Sequence, residues 1–317
     1  MAANEDFFER RNSQAVLKHG ILTRYAKYFA GRAGKVTGNV AFIDGYAGQG
    51  RYEDESPGSP LLLASQAQRA AMFKRNVKLA FVEFDANRVA QLRAALAELQ
   101  VEADQVLQGK FEDLVGALLE RYQRHAVFLF VDPFGLGISY ESLLKVLRSS
   151  SPSQPIDVLY HFSLLTVARM ARAAVTDGAT SAKNAELVDR ALGPVPWRDL
   201  FEGEKGRGES TGAAIELAIR FGEALHAATS KRYTSIQVRQ QPNHAPKYLL
   251  MLFSSNAEAH WEFVDQASNA YEDWLHHCSN EDYEANLLRQ ERTGVLALFE
   301  EAEPDRKDTA AALTAAF

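Results

Sequence analysis

The chain has 317 residues, 46% of them hydrophobic and 24% charged, with 20 Gly and 10 Pro, enough for one large α/β domain with extensions or for two domains. Thirty-five basic residues against 41 acidic ones leave a net charge of −6, which excludes a histone-like polyanion binder and confines any nucleic-acid contact to a local patch. A single cysteine, Cys278, excludes an internal disulfide framework and a cysteine-built zinc site, and fits a reducing compartment.

The opening MAANEDFFERRNS has no apolar signal core, and no apolar run approaches the ~20 residues that span a bilayer, so a cytoplasmic protein with no membrane partner is expected. Ser13 is placed to cap a first helix through Ala30, with Gly31 and Gly34 ending it. Residues 1–37 read as a basic N-terminal helix. Its Lys18, Arg24, Lys27, Arg32 and Lys35 are candidate phosphate contacts, to be weighed against a merely solvated helix face.

Residues 38–277 read as an α/β domain. NVAFIDGYAG is a short buried strand running into a glycine turn, and VKLAFVEFD is a second, ending at Glu83 and Asp85. Val89, Leu92, Leu96 and Leu99 mark one face of the next helix, with Asp85 as its N-cap. QVLQGKF is a short strand, AVFLFVDPFG is the most apolar one, and IDVLYHFS follows. This alternation implies a parallel sheet with helices on both faces. RYTSIQVRQ and KYLLMLFSS are separated by QPNHAP alone, too short for a helical crossover, so they form an antiparallel hairpin. Seven strands with a reversed final one are the Rossmann-like architecture of the class I S-adenosylmethionine (SAM) methyltransferases. Residues 176–212, rich in Gly and Pro, read as an irregular insertion, and 278–317 as a helical extension and tail ending in an exposed acidic stretch, EEAEPDRKD, and an Ala-rich end.

Ligands of doubly wound sheets bind beyond the carboxyl ends of the strands. Four such ends here carry polar or glycine chemistry. Asp44-Gly45-Tyr46-Ala47-Gly48-Gln49-Gly50 makes a tight turn that lets backbone approach a ligand. Glu83 is placed to accept from both hydroxyls of a ribose. Gly109 and Phe111 fall where an adenine is read and covered, and Asp132-Pro133-Phe134-Gly135 falls where the transferred group sits. The turn departs from G-x-G-x-x-G, and Glu83 comes later than that fingerprint expects; a crossover through Ser56-Pro57-Gly58-Ser59-Pro60 and LLLASQAQRAAMF accounts for the delay.

SQAVLKHGILTRYAKYF, FIDGYAGQGRY with PGSP, FVEFD and FVDPFG together resemble the three-Cys-motif partner (TcmP) family over about Ser13 to Ser163, with KYLLMLFSSN as a weaker match. That resemblance implies a methyltransferase fold and, as partner, a radical-SAM-like protein with three cysteines. The same motif order is similar to the adenine-N6 methyltransferases of large-subunit ribosomal RNA. Carried over from that family, His19, Tyr46, Ser59, Glu83, Gly109 and Asp132 surround SAM and the target amine. Where that family has Pro-Pro-Tyr, this chain has Pro133-Phe134-Gly135, which leaves the acceptor class open.

The expected activity is methyl transfer to an amine or hydroxyl of a nucleic acid or nucleoside, with Asp132, Pro133 and Phe134 at the transfer point. The rival is a SAM-binding subunit of the three-cysteine protein without catalysis of its own, and a nucleic-acid hydrolase is a distant third. His161 and Ser163 close the strand beside Asp132, but no G-x-S-x-G elbow supports a hydrolase triad. His276-His277-Cys278 point in different directions on a helix, and no metal site is expected. Trp261, Val264, Tyr271 and Trp274 at helical spacing suggest a core-packing stripe, with a partner face as the alternative.

Overall fold

The computed structural model describes residues 13–151, 154–176, 180–202 and 210–293. Seven strands form one sheet: β1 (Asn39–Asp44), β2 (Asn76–Glu83), β3 (Gln105–Gln108), β4 (Ala126–Val131), β5 (Ile156–Ser163), β6 (Arg232–Val238) and β7 (Tyr248–Ser254). Their order is β3-β2-β1-β4-β5-β7-β6. β1 to β5 pair in parallel, and β7 runs antiparallel to both β5 and β6. The six residues of QPNHAP dictate that reversal, because no helix fits between the two strands. The chain therefore has the Rossmann-like class I methyltransferase fold, with helices on both faces of a mixed sheet.

The strands are nearly continuous apolar runs because both faces are covered. On one face Ile43, Val82, Leu129, Val158 and Met251 pack beneath α4 (Phe111–Arg121), α5 (Tyr140–Arg148), α6 (Leu164–Val175) and α9 (Ser210–Thr229). On the other, Phe42, Phe81, Phe128, Leu159 and Leu250 meet α1 (Ser13–Thr37), α2 (Ser59–Met72), α3 (Ala86–Glu98) and α10 (Ala257–Thr293). Leu17, Ile21, Leu22 and Tyr25 of α1 are fully buried in that second layer, so the basic helix and the sheet share one core.

Three expectations change. α1 runs on to Thr37 through Gly31 and Gly34, since tertiary packing overrides the weak helix propensity of glycine; at Gly34 an added Cβ would stand 3.0 Å from Arg75 Cδ. Residues 176–212 are not irregular throughout. They contain α7 (Ser181–Leu192), held by buried Val188, Ala191 and Leu192, and the short α8 (Arg198–Glu202) with Trp197 and Phe201 in the core. Gly193 ends α7 at φ +59°, against the ring of Tyr140. Residues 203–209, with their three glycines, and 294–317, with the acidic stretch, lie outside the described residues.

The third change concerns α10, which passes the 277/278 boundary unbroken. Its buried face is Phe263, Ala267, Ala270, Trp274 and Cys278, while Trp261 is 79% exposed. The stripe is turned because α10 packs on α1, where Gly20 admits Ala270 at 3.1 Å from the position of an added Cβ. Among the described residues no helix is long and apolar enough to cross a membrane, and no three metal-capable side chains cluster.

Candidate functional site

All parallel strands end on one edge of the sheet, and the turns after β1, β2 and β4 meet there. Gly45 N donates to Phe130 O at 2.9 Å and Ala47 N to Val82 O at 2.9 Å, so the turn after β1 is stitched to both neighbouring strands. The turn needs glycine for two separate reasons. Gly48 and Gly50 have φ of +64° and +94°. At Gly45 the ring of Phe111 is so close that an added Cβ would stand 2.8 Å from it.

Glu83 clasps this turn. Its buried carboxylate accepts from Gly48 N at 2.9 Å through Oε2 and from Asp85 N at 2.9 Å through Oε1. Asp85 in turn caps α3 by accepting from the amides of Asn87 and Arg88. Asp44 lies wholly buried beneath the turn, accepting from Tyr46 N at 3.1 Å, and burial pushes its carboxyl up to about 7. It lines neither cavity flanking the turn, so of the expected contact residues it supports the turn from behind.

Three cavities adjoin along this edge. One, of about 470 Å³, lies over the ends of β2 and β3 and is lined by Gly45, Glu83, Gly109 and Phe111 among others. The central one, of about 320 Å³, is lined by His19, Gly48, Ser59, Asp132 and Pro133 among others. Tyr46 and Phe134 belong to both walls. The outer one, of about 200 Å³, shares Lys18, Tyr52, Asp132, His161 and Ser163 with the central cavity and adds Tyr248 and Lys247. Phe134, 41% exposed with the Arg88 guanidinium 5.7 Å from its ring centre, lines the first two and not the outer one. Phenol rings on the outer cavity come from Tyr52 and Tyr248.

At the junction of the central and outer cavities stands Asp132. Lys18 Nζ is 2.7 Å from its Oδ2, and His161 Nδ1 is 3.0 Å from its Oδ1. Burial, the largest single influence, would raise the Asp132 carboxyl, but the Lys18 ammonium together with His161 and His19 outweighs it and holds the group below its usual range. Burial likewise opposes the charge on Lys18, and Asp132, with Tyr52 and Tyr248 beside it, reverses this, so the ammonium persists. Lys18 is thus not the surface phosphate contact expected from the sequence. It lies three, four and seven residues before Ile21, Leu22 and Tyr25, in step with the buried stripe of α1. That phase was the signal available in the sequence.

Burial drives the His161 imidazole down to about 4, against the opposing pull of Asp132, with Lys18 adding to the depression; Tyr248 packs on the ring at 4.1 Å. The native state therefore refuses a proton that the unfolded chain takes near 6.5. Stability from this group is complete above pH 6.5 and is lost as pH falls from 6.5 towards 4. His125 and His260 are depressed in the same sense, so the test is a difference. Between pH 6.5 and 4 the midpoint of thermal unfolding should fall more steeply for the native chain than for His161→Gln. Parallel curves would refute the assignment.

Of the residues expected at the site, the structure brings Glu83 and Gly48 into hydrogen-bond contact and sets Gly48, His19, Ser59 and Asp132 around one cavity. Arg24 and Arg32 of the basic stripe instead pair with Asp273 and Glu258 of α10.

No family model matches the chain, and no curated protein matches it. Solved structures do match. A Legionella pneumophila protein of family-model DUF519 shares 11% identity over 77% of this chain and 85% of its own, with a TM-score of 0.43. The plantazolicin methyltransferase BamL, in complex with a triazolic desmethylPZN analog and SAH, shares 10% identity over 77% and 85% of the two chains at a TM-score of 0.33. PKMT2 from Rickettsia typhi shares 11% over 78% of this chain and 56% of its own at 0.40.

Proposed function

We propose that the chain binds SAM and transfers its methyl group to an amine or hydroxyl of a nucleic acid or nucleoside. The observation that carries this reading is the row of cavities with Asp132 at the junction of the last two. Bound SAM supplies a methyl group on a sulfonium, ready for in-line displacement.

The residues present fit such a ligand. Glu83 retains lone pairs for two ribose hydroxyls while holding Gly48 and Asp85, since an ionised carboxylate offers about four acceptor sites. Gly109, at φ +153°, keeps the backbone beside the adenine side free of a side chain. Gly58 and Ser59, at the start of the 14-residue α2, present a helix N-terminus to the central cavity, which suits the carboxylate of the cofactor's amino acid end. Any acceptor in the outer cavity meets Asp132 directly.

At that point Asp132 accepts a hydrogen bond from the N–H or O–H of the acceptor and aligns its lone pair, and Pro133 fixes the backbone that carries it. Lys18 keeps the carboxylate ionised and hence an acceptor only. The small outer cavity, walled by Tyr52 and Tyr248, suits a single unstacked ring; a base in a strand would reach it only by flipping out, at about a few kcal/mol.

The test is incubation with isotopically labelled SAM and separate pools of RNA, DNA and nucleosides, followed by mass spectrometry. Label in one of these pools is expected. SAM binding without transfer to any pool, together with stable association with a three-cysteine radical enzyme, would overturn catalysis in favour of a partner subunit.

A further inference from the structure

The faces of α1 carry different charge partners. Arg24 and Arg32, eight residues apart, point to α10 and are neutralised there by Asp273 and Glu258. Lys27 and Lys35, also eight residues apart with Gly31 between them, line a groove against α2, and both are exposed. The groove has a volume of about 450 Å³, and its other wall comes from the end of α2 and the turn after it: Arg69, Met72, Phe73 and Arg75. Neither α1 nor α2 contains an acidic residue along its whole length. Among the described residues no carboxylate pairs with Lys27, Lys35, Arg69 or Arg75; the Arg75 guanidinium donates to the carbonyl of Gly34 at 3.3 Å. Four cations thus stand together in a chain whose net charge is −6. Beside them Met72 is 81% and Phe73 77% exposed.

We propose that this α1–α2 groove binds a single-stranded segment of nucleic acid, with Lys27, Lys35, Arg69 and Arg75 on the phosphates and Phe73 under a base. Lys27 and Lys35 are about 12 Å apart along the helix, far enough to engage different phosphates of one strand. Unpaired cations beside an exposed aromatic ring form the combination by which single strands are held without base readout. An acid-free surface is what phosphate demands, because a carboxylate there would repel it. α1 also carries His19 and Lys18 at the central cavity, so a strand lying in the groove is bound to the same helix that walls the site. This inference rests on the nucleic-acid reading of the acceptor.

The experiment is titration of a fluorescein-labelled twelve-nucleotide oligouridylate by anisotropy at several salt concentrations. Binding by the native chain is expected. K27Q/K35Q should weaken it about tenfold at low salt and reduce the slope of log K against log salt by about 1.4, from roughly 0.7 per single-strand phosphate contact. Phe73→Ala should weaken it about tenfold with the slope unchanged, as loss of a stacked base requires. All three residues are exposed, so the unfolding midpoint should not move. No binding by the native chain, or binding at the native affinity by both variants, overturns the proposal. So does retention of RNA binding by variants that lose binding to phosphatidylserine vesicles, which would assign the groove to a membrane surface. Calorimetry with SAM separates this outcome from the fate of the methyltransferase reading: intact cofactor binding and label transfer with no groove effect removes the groove alone. Groove binding with no SAM affinity removes the methyltransferase reading alone.

Discussion

Asp132→Ala is expected to reduce methyl transfer by about 10³-fold and, in the same protein, to lower stability by about 3–5 kcal/mol. Both effects follow from one contact. The carboxylate is the acceptor at the junction of the cavities, and it is also the partner that makes a buried ammonium tolerable on α1. Without it, Lys18 is left charged in a site where burial opposes its charge, so the lysine must either give up its proton or drag water inward. The two roles separate in a double substitution. K18M/D132A removes the pair together and replaces the lysine by an apolar side chain of similar shape, so most of the lost stability should return while transfer stays absent. Denaturant unfolding of the single and double variants, beside single-turnover transfer, reads both quantities. Transfer by Asp132→Ala at the native rate would eliminate Asp132 as the aligning group. A double variant no more stable than the single one would show that the ion pair is not the source of the loss.

Most of the fold was legible because the relevant signals are local. Continuous apolar runs ending in Asp44, Glu83 and Asp132 mark parallel strands, and the shortness of QPNHAP forces the reversal that distinguishes this sheet. That the strand-end residues lie together follows from the same logic, since the parallel strands all end on one edge of the sheet. What escaped were features decided by packing between distant segments. α7 and α8 hold their shape through Val188, Leu192, Trp197 and Phe201 against the sheet helices, and the surrounding Gly and Pro masked them. Gly31 and Gly34 did not end α1 because helix, sheet and α2 support it from several sides. The basic stripe looked uniform in the sequence, yet it divides three ways. Lys18 turns inward to Asp132, Arg24 and Arg32 turn to the acids of α10, and Lys27 and Lys35 face the groove. The split into inner and outer residues is visible in the phase of α1. The split between the two outer stripes depends on where an acidic helix some 230 residues later comes to lie, and no local pattern holds that information.

Glu83→Ala should weaken SAM binding at least about 100-fold. Two backbone amides lose a charged acceptor, and hydrogen bonds to charged groups contribute about 1.5–3 kcal/mol each. One amide belongs to Gly48, whose left-handed conformation shapes the wall of the central cavity; the other belongs to Asp85, which caps α3. The substitution therefore loosens the cradle as well as deleting the acceptor for the ribose. Glu83→Gln distinguishes these contributions. Its amide oxygen can still take one backbone N–H, but its NH2 group faces the second donor, so binding should fall by an intermediate factor with a smaller loss of stability. Calorimetry with SAM and with S-adenosylhomocysteine gives both affinities. Both ligands carry the same ribose, so the two affinities should fall by the same factor if Glu83 acts there. A loss confined to SAM would place Glu83 near the sulfonium charge instead, and native affinity in Glu83→Ala would leave the strand-end row without its nucleoside anchor.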